Sequence, residues 1–328
     1  MNGHFFIPKL YDIMTFKKEY KNMKLQLTLN SLALILCCGD LIPSSTQPIS
    51  TQEWQEIEKK LKSAHKEPSM ITGMSIDTLT QIIGLDEFTA HKIEKRQKLL
   101  PDLFYALQNL ENQDIGVTTI YEEDYPASLR VLGTKMPLVI SYIGDLSLSY
   151  GVNISVAGPQ MMNKTMRHVT KEIMKKISKE GYTVVVGGSK GVEELALRTQ
   201  LTNNGNAVLF VADHMFDKIR LYSKYIKQNK LVIMTANDPY ALFDVTHALD
   251  KNLYICGMVF AQIVTGTHIG SGPVWFTSIQ NIHSHWTRQL VYETLDYSGN
   301  IRLIEMGEAH FTDEDLKSEV TLAEILDN

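Results

Sequence analysis

The chain has 328 residues, 32 basic against 37 acidic side chains for a formal net charge of −5, and 44% hydrophobic residues. At roughly 100 to 200 residues per domain this is an ordinary globular composition for about two domains, which excludes disordered, collagen-like and disulfide-scaffold classes. The mildly acidic balance argues against a protein that coats nucleic acid through bulk charge, while saying nothing about a local basic patch.

Of the three cysteines, Cys37 and Cys38 are adjacent and bridge only under strain, and Cys256 stands alone. Free thiols in a reducing, cytoplasmic setting are therefore expected. The run from Met23 to Cys38 has the basic start and terminal cysteines of a lipoprotein signal, yet its uninterrupted apolar part, Leu32 to Cys38, is seven residues long. A bilayer span needs ~20, so a core helix and no membrane association are predicted.

Residues 1–115 read as a small helical domain. Pro43 to Pro48 breaks the first helical region, and Ser50-Thr51-Gln52-Glu53 supplies a capping box ahead of Trp54, Ile57 and Leu61 at helical spacing. A second helix is predicted after Ser75 (Ile76, Leu79, Ile82, Ile83), ending at Gly84, and a third from Asp86 through Ile93 to Leu100. Short helices with a glycine turn are similar to a helix-hairpin-helix or sterile-alpha-motif module, and equally to a plain helical cap.

From Val117 the period changes. Strand-like runs at Ile154–Ala157, Thr183–Val186, Asn206–Val211, Leu231–Met234 and Val259–Thr265 alternate with helix-period segments, such as the one carrying Met166, Val169, Ile173 and Ile177 on one face. Continuous β-branched runs separated by helices predict an α/β fold: a Rossmann-like, doubly wound, mostly parallel sheet, buried on both faces and preceded by the helical domain.

Three glycine loops follow these strands: Gly158-Pro159-Gln160, Gly187-Gly188-Ser189-Lys190-Gly191, and Gly270-Ser271-Gly272. Each alone reads as a tight turn. Set together at strand C-termini, where such sheets bind ligands, they become a phosphate-binding edge. Basic residues recur at Lys164, Arg167, Lys171, Lys175 and Lys179, and again at Lys218, Arg220, Lys224, Lys227 and Lys230. A solvated helix face and a phosphate track both fit that spacing. Walker, G-x-G-x-x-G, nucleophile-elbow, C-x-x-C and H-E-x-x-H patterns are all lacking, and His283-Ser284-His285 has no partner ligand in sequence. A non-enzymatic binding protein without metal or cofactor is expected.

The order of motifs resembles the DprA (Smf) DNA-processing family. Tyr125-Pro126-Ala127-Ser128-Leu129 is similar to its "YP..L" entry, Met136 to Ile140 with Gly144 to "PP.vL...G", and Ile154 to Gln160 to "vaiVGsR". Val185 to Glu193 is similar to "vvSGgArGiD", and Gly299 to Gly307 to "GtN.LI..GA". The resemblance implies a DprA domain over residues 116–310, with an acidic tail at 311–328. It also implies non-catalytic single-stranded DNA binding in DNA uptake, transformation or recombination, as a homodimer that hands the strand to RecA. It places Lys190 at the family's loop arginine and Lys251-Asn252 near its "RN" step. Four positions depart from the pattern: Gln160 replaces the arginine of "GsR", Val186 the serine of "SG", Glu193 the aspartate of "GiD", and Leu197 a histidine. The alternative expectation is a nucleotide-binding sensor of a stress or antiviral defence system, using the same glycine loops.

Overall fold

The structure, a computed structural model, describes residues 25–317 and 319–327. Met23-Lys24 and the charged segment before them lie outside these residues. Two compact units emerge: one runs up to Tyr125 and adds Leu138–Ser141, the other comprises Pro126–Pro137 and everything from Tyr142 on.

The first unit is helical because its caps and apolar spacing agree. Thr28 accepts from the Ser31 N–H to start α1 (Leu29–Cys38), whose short apolar run is buried as a core helix. The capping box of Ser50 and Glu53 starts α2 (Thr51–Ser63): Ser50 Oγ accepts from Glu53 N at 3.2 Å, and Ser50 N donates to the Glu53 carboxylate at 2.6 Å. Trp54, Ile57 and Leu61 are buried beneath it.

The helix expected after Ser75 is short and ends in a π turn at Thr78–Ile82, with Gly84 beyond it. The helix expected to reach Leu100 stops sooner. It forms α3 (Glu87–Gln97), and a separate α4 (Leu100–Glu111) carries Pro101 in its first turn. Proline has no N–H to offer and clashes with the carbonyl four residues back, so it opens a new helix instead of continuing the old one. Strand β1 (Gly116–Thr119) and β2 (Val139–Ile143), the latter through Ser141, also belong to this unit. Its members therefore extend past the helical residues 1–115.

The second unit follows the α/β alternation: β3 (Asn153–Ala157), α5 (Lys164–Lys179), β4 (Thr183–Val186), α6 (Val192–Thr202), β5 (Ala207–Phe210), α7 (Met215–Lys227), β6 (Leu231–Thr235), α8 (Val245–Met258), β7 (Ala261–Val264), α9 (Gly272–Ser284), β8 (Arg288–Tyr292), α10 (Ser298–Glu305) and β9 (Ala309–Phe311). Strands in this unit stand in the order β6-β5-β4-β3-β7-β8-β9, paired in parallel, with Ile154 opposite Val184 on one side and Ala261 on the other. The chain leaves β3 in one direction and returns at β7 to run in the other, so the order reverses between β3 and β7. That reversal opens a crevice at the strand C-termini.

Met166, Val169, Ile173 and Ile177 of α5 are buried with Ile154, Val184, Leu209 and Ile263, each side chain contributing about 1.5–3 kcal/mol. The segment expected as an acidic tail is folded. It supplies Phe311, the last residue of β9, and then α11 (Leu322–Asp327), whose Leu322, Ile325 and Leu326 enter the same core. Lys176 Nζ donates to the Lys317 carbonyl at 2.6 Å and to that of Val320, and the Glu180 carboxylate accepts from Ala323 N at 3.1 Å. Three apolar residues at helical spacing outweigh the charges around them, because the acids serve as local acceptors. Asp313 takes the Tyr292 hydroxyl at 2.8 Å and Asp315 the Thr312 N–H at 2.7 Å.

Candidate nucleic-acid interface

The three glycine loops stand where the sequence places them, at the C-terminal ends of β3, β4 and β7 in the second unit. Two of them are in contact. Gly191, at φ 88° between the β4 loop and α6, lies so close to the β3 loop that a Cβ would stand 2.3 Å from the Pro159 carbonyl oxygen, and Val192 N donates to that oxygen at 3.2 Å. Gly158 fits between Thr265 and Val192 in the same way. The third loop is braced from below. Buried Asn300 accepts from Thr267 N at 2.8 Å and donates to the carbonyls of Thr265 (3.1 Å) and Tyr292 (2.7 Å), tying the ends of β7 and β8 together. Gly270, Ser271 and Gly272 remain exposed above this brace, at the start of α9.

Beneath the β4 loop lies a buried pair. A Cβ at Gly187 would stand 2.2 Å from Lys251 Nζ. That ammonium sits 3.3 Å from Ser189 Oγ and 4.0 Å from the Glu193 carboxylate, with only 8% of the lysine side chain and 13% of the glutamate exposed. Glu193 also accepts from Ser189 N at 2.9 Å. The loop's own carboxylate thus holds an N–H that a phosphate cradle would offer, and Lys251 faces inward to neutralise it. Asn252, partly buried, lines a cavity of about 20 Å³ with Ser155, Gln262, Glu193 and Thr277, enough for one water.

Outward-facing charge comes from other residues. Lys190 is exposed at the tip of the β4 loop, and Lys164 and Arg167 are exposed in the first turn of α5. Lys218, in the first turn of α7, places Nζ 3.5 Å from the Gly188 carbonyl oxygen. The rest of the α5 stripe departs from the edge. A parallel crossover sends the helix back along the strands, and its 16 residues carry Lys171, Lys175 and Lys179 up to ~24 Å away from its start. Lys175 pairs with Glu172 at 2.7 Å as a solvated helix face. The members of the stripe that matter here are its first two.

Sequence reasoning missed three things. Lys218 was one basic residue among several until the fold set it beside Gly188. Asn300 stood inside a matched motif without a task. Glu193 could have been read as a helix first-turn acid reaching back to its own loop, an N-terminal arrangement with a local spacing of four residues. Among the described residues, no three His, Cys, Asp or Glu side chains gather to hold a metal, and no helix is long and apolar enough to cross a membrane.

The sequence model of the family described as DNA recombination-mediator protein A matches residues 116–315, more than half of the chain. The chain belongs to that family. Its fold is similar to that of DNA processing protein A (DprA) from Streptococcus pneumoniae, with a TM-score of 0.69, 16% identity, and coverage of 91% of this chain and 100% of that one. It is also similar to DNA processing protein A from Helicobacter pylori, described for its single-stranded DNA binding mode, with a TM-score of 0.52, 16% identity, and coverage of 61% and 92%. No curated protein matches. Asn300, the brace under the β7 loop, lies within the matched residues.

Proposed function

We propose that this member of the recombination-mediator family binds single-stranded DNA along the C-terminal edge of its parallel sheet, without catalysis, as a DNA-processing protein of recombination or DNA uptake. The observation that carries the reading is the edge itself: glycine loops at the β3/β7 reversal flanked by exposed Lys164, Arg167 and Lys190, with half-buried Lys218 beside the Gly188 carbonyl. Backbone phosphates are met by these four point charges and by the exposed Gly270-Ser271-Gly272 turn. The amides of Gly158, Gly187, Gly188, Ser189 and Gly191 shape the floor. Lys251 and Asn252 support it from inside.

A nucleotide-sensor reading is not favoured. The cavity under these loops is about 20 Å³, against the ~300–1,000 Å³ of a small-molecule site. A homodimer and a hand-over to RecA remain part of the proposal, supported by family membership alone.

The test is fluorescence anisotropy of a labelled oligonucleotide over a salt series. Four phosphate contacts predict a slope of log affinity against log salt near −3, at about −0.7 per contact on a single strand. Lys190→Ala should remove about 0.7 from it. Absence of binding at low salt, or binding indifferent to salt, overturns the proposal.

A further inference from the structure

The same edge carries an aromatic and apolar surface that the phosphate contacts leave unexplained. After β6 the chain forms a loop in which Tyr240 is 55% exposed, Leu242 74% and Phe243 66%, followed by exposed Val245 at the start of α8. The Tyr240 ring rests against that of Phe216, with centroids 4.6 Å apart. Phe216 lies two residues before Lys218, whose ammonium stands over the β4 loop. Both stand in the first turn of α7, Phe216 turned to the loop after β6 and Lys218 to the loop after β4, so rings and ammonium lie along the same strand-end edge on opposite sides of the helix start.

This surface is held in place. Asn237 Nδ2 donates to the Ala212 carbonyl at 2.9 Å and His214 N to that of Ala241 at 3.1 Å, cross-linking the loops after β5 and β6. The carboxylates around it are turned to local partners. Asp238 accepts from Tyr240 N at 3.0 Å, Asp244 caps α8 through Thr246 N at 2.8 Å and His247 N at 3.1 Å, and Asp217 pairs with Arg220. With its carboxylates engaged locally, the patch presents rings and apolar side chains and suits the bases of a strand rather than its phosphates.

We propose that Tyr240 and Phe243, with Phe216 behind Tyr240, stack the bases of a single strand whose phosphates lie on Lys218 and Lys190; this rests on the DNA-binding reading above. Every base has a π-face, so such a platform is indifferent to sequence. Exclusion of salt-dependent contacts from it separates its share of the affinity from that of the lysines.

The experiment compares the full chain on a labelled oligothymidylate and on an abasic strand of the same length, across salt. Tyr240→Ala and Phe243→Ala should each weaken thymidylate binding roughly five- to a hundred-fold, leave abasic binding and the salt slope unchanged, and keep the thermal midpoint because both side chains are exposed. Tyr240→Phe and Phe243→Tyr, which keep a ring, should bind as wild type. Alanine variants that bind thymidylate as tightly as wild type overturn the inference while the DNA-binding reading stands. So does a change in molecular mass by light scattering with DNA affinity retained, which would make the patch a contact between copies. A wild type that binds neither strand at low salt overturns both.

Discussion

Lys251→Met separates a structural lysine from a DNA-contacting one. At 4.0 Å from the Glu193 carboxylate, the ammonium gains about 4 kcal/mol of attraction at an effective dielectric of about 20, partly offset by the desolvation of both groups. Methionine keeps the length and bulk over Gly187 but leaves the Glu193 carboxylate buried without a counter-charge. Breaking a buried pair from one side costs about 3–5 kcal/mol, and the residual exposure of both side chains puts this case at the low end, about 3 kcal/mol. For a unit of this size that lowers the unfolding midpoint by roughly 6–12 °C. The assay is thermal or urea unfolding of Lys251→Met, Glu193→Gln and the double variant. The double variant should recover half or more of the loss, since it buries no lone charge. If Lys251→Met unfolds like wild type and instead lowers DNA affinity with a reduced salt slope, the inward-facing pair is not what holds this lysine, and Lys251 is a DNA contact.

Other outcomes follow from the packing. Arg96 is buried in the first unit and donates to the carbonyls of Leu36 (2.7 Å), Gly39 (2.7 Å) and Thr46 (3.0 Å); Arg96→Met should cost about 3 kcal/mol or more by orphaning them, read as a lowered urea midpoint. Ile325→Ala, removing a buried side chain of α11, should cost about 2–4 kcal/mol and expose the C-terminal segment to proteolysis, whereas resistance equal to wild type would mean that the segment does not depend on its core contacts. Burial raises the Glu308 carboxyl above the ordinary 4.5, with His285 opposing. The folded state then binds the proton more tightly, so stability falls as pH rises from the ordinary value through the raised one, and Glu308→Gln should flatten that part of the urea-midpoint profile.

Where side-chain period alone decides an element, the sequence was legible. Thr183–Val186 is a strand and Met166, Val169, Ile173 and Ile177 face a core because β-branched runs and a 3.6-residue stripe each have one low-energy way to be buried. The last two strands were harder. Neither β8, with polar Gln289 inside it, nor three-residue β9 carries a pattern that stands out from a loop. The C-terminal residues misled for a related reason: their charge count is visible in sequence, while the face of α5 that receives Leu322 and Ile325 is not.

By itself the chain determined the alternation of strands and helices, the glycine loops at strand ends and the family to which their order belongs, because these depend on local conformation and spacing. Tertiary structure decided which charges matter. Lys251 and Lys190 look alike in sequence, but the first is drawn under Gly187 toward Glu193 and the second stands exposed at the loop tip. A strand order that reverses between β3 and β7 selects Lys164, Arg167 and Lys218 from longer basic runs, since only the first turns of α5 and α7 begin at that edge. Charge acts through distance and burial, and both are properties of the folded chain.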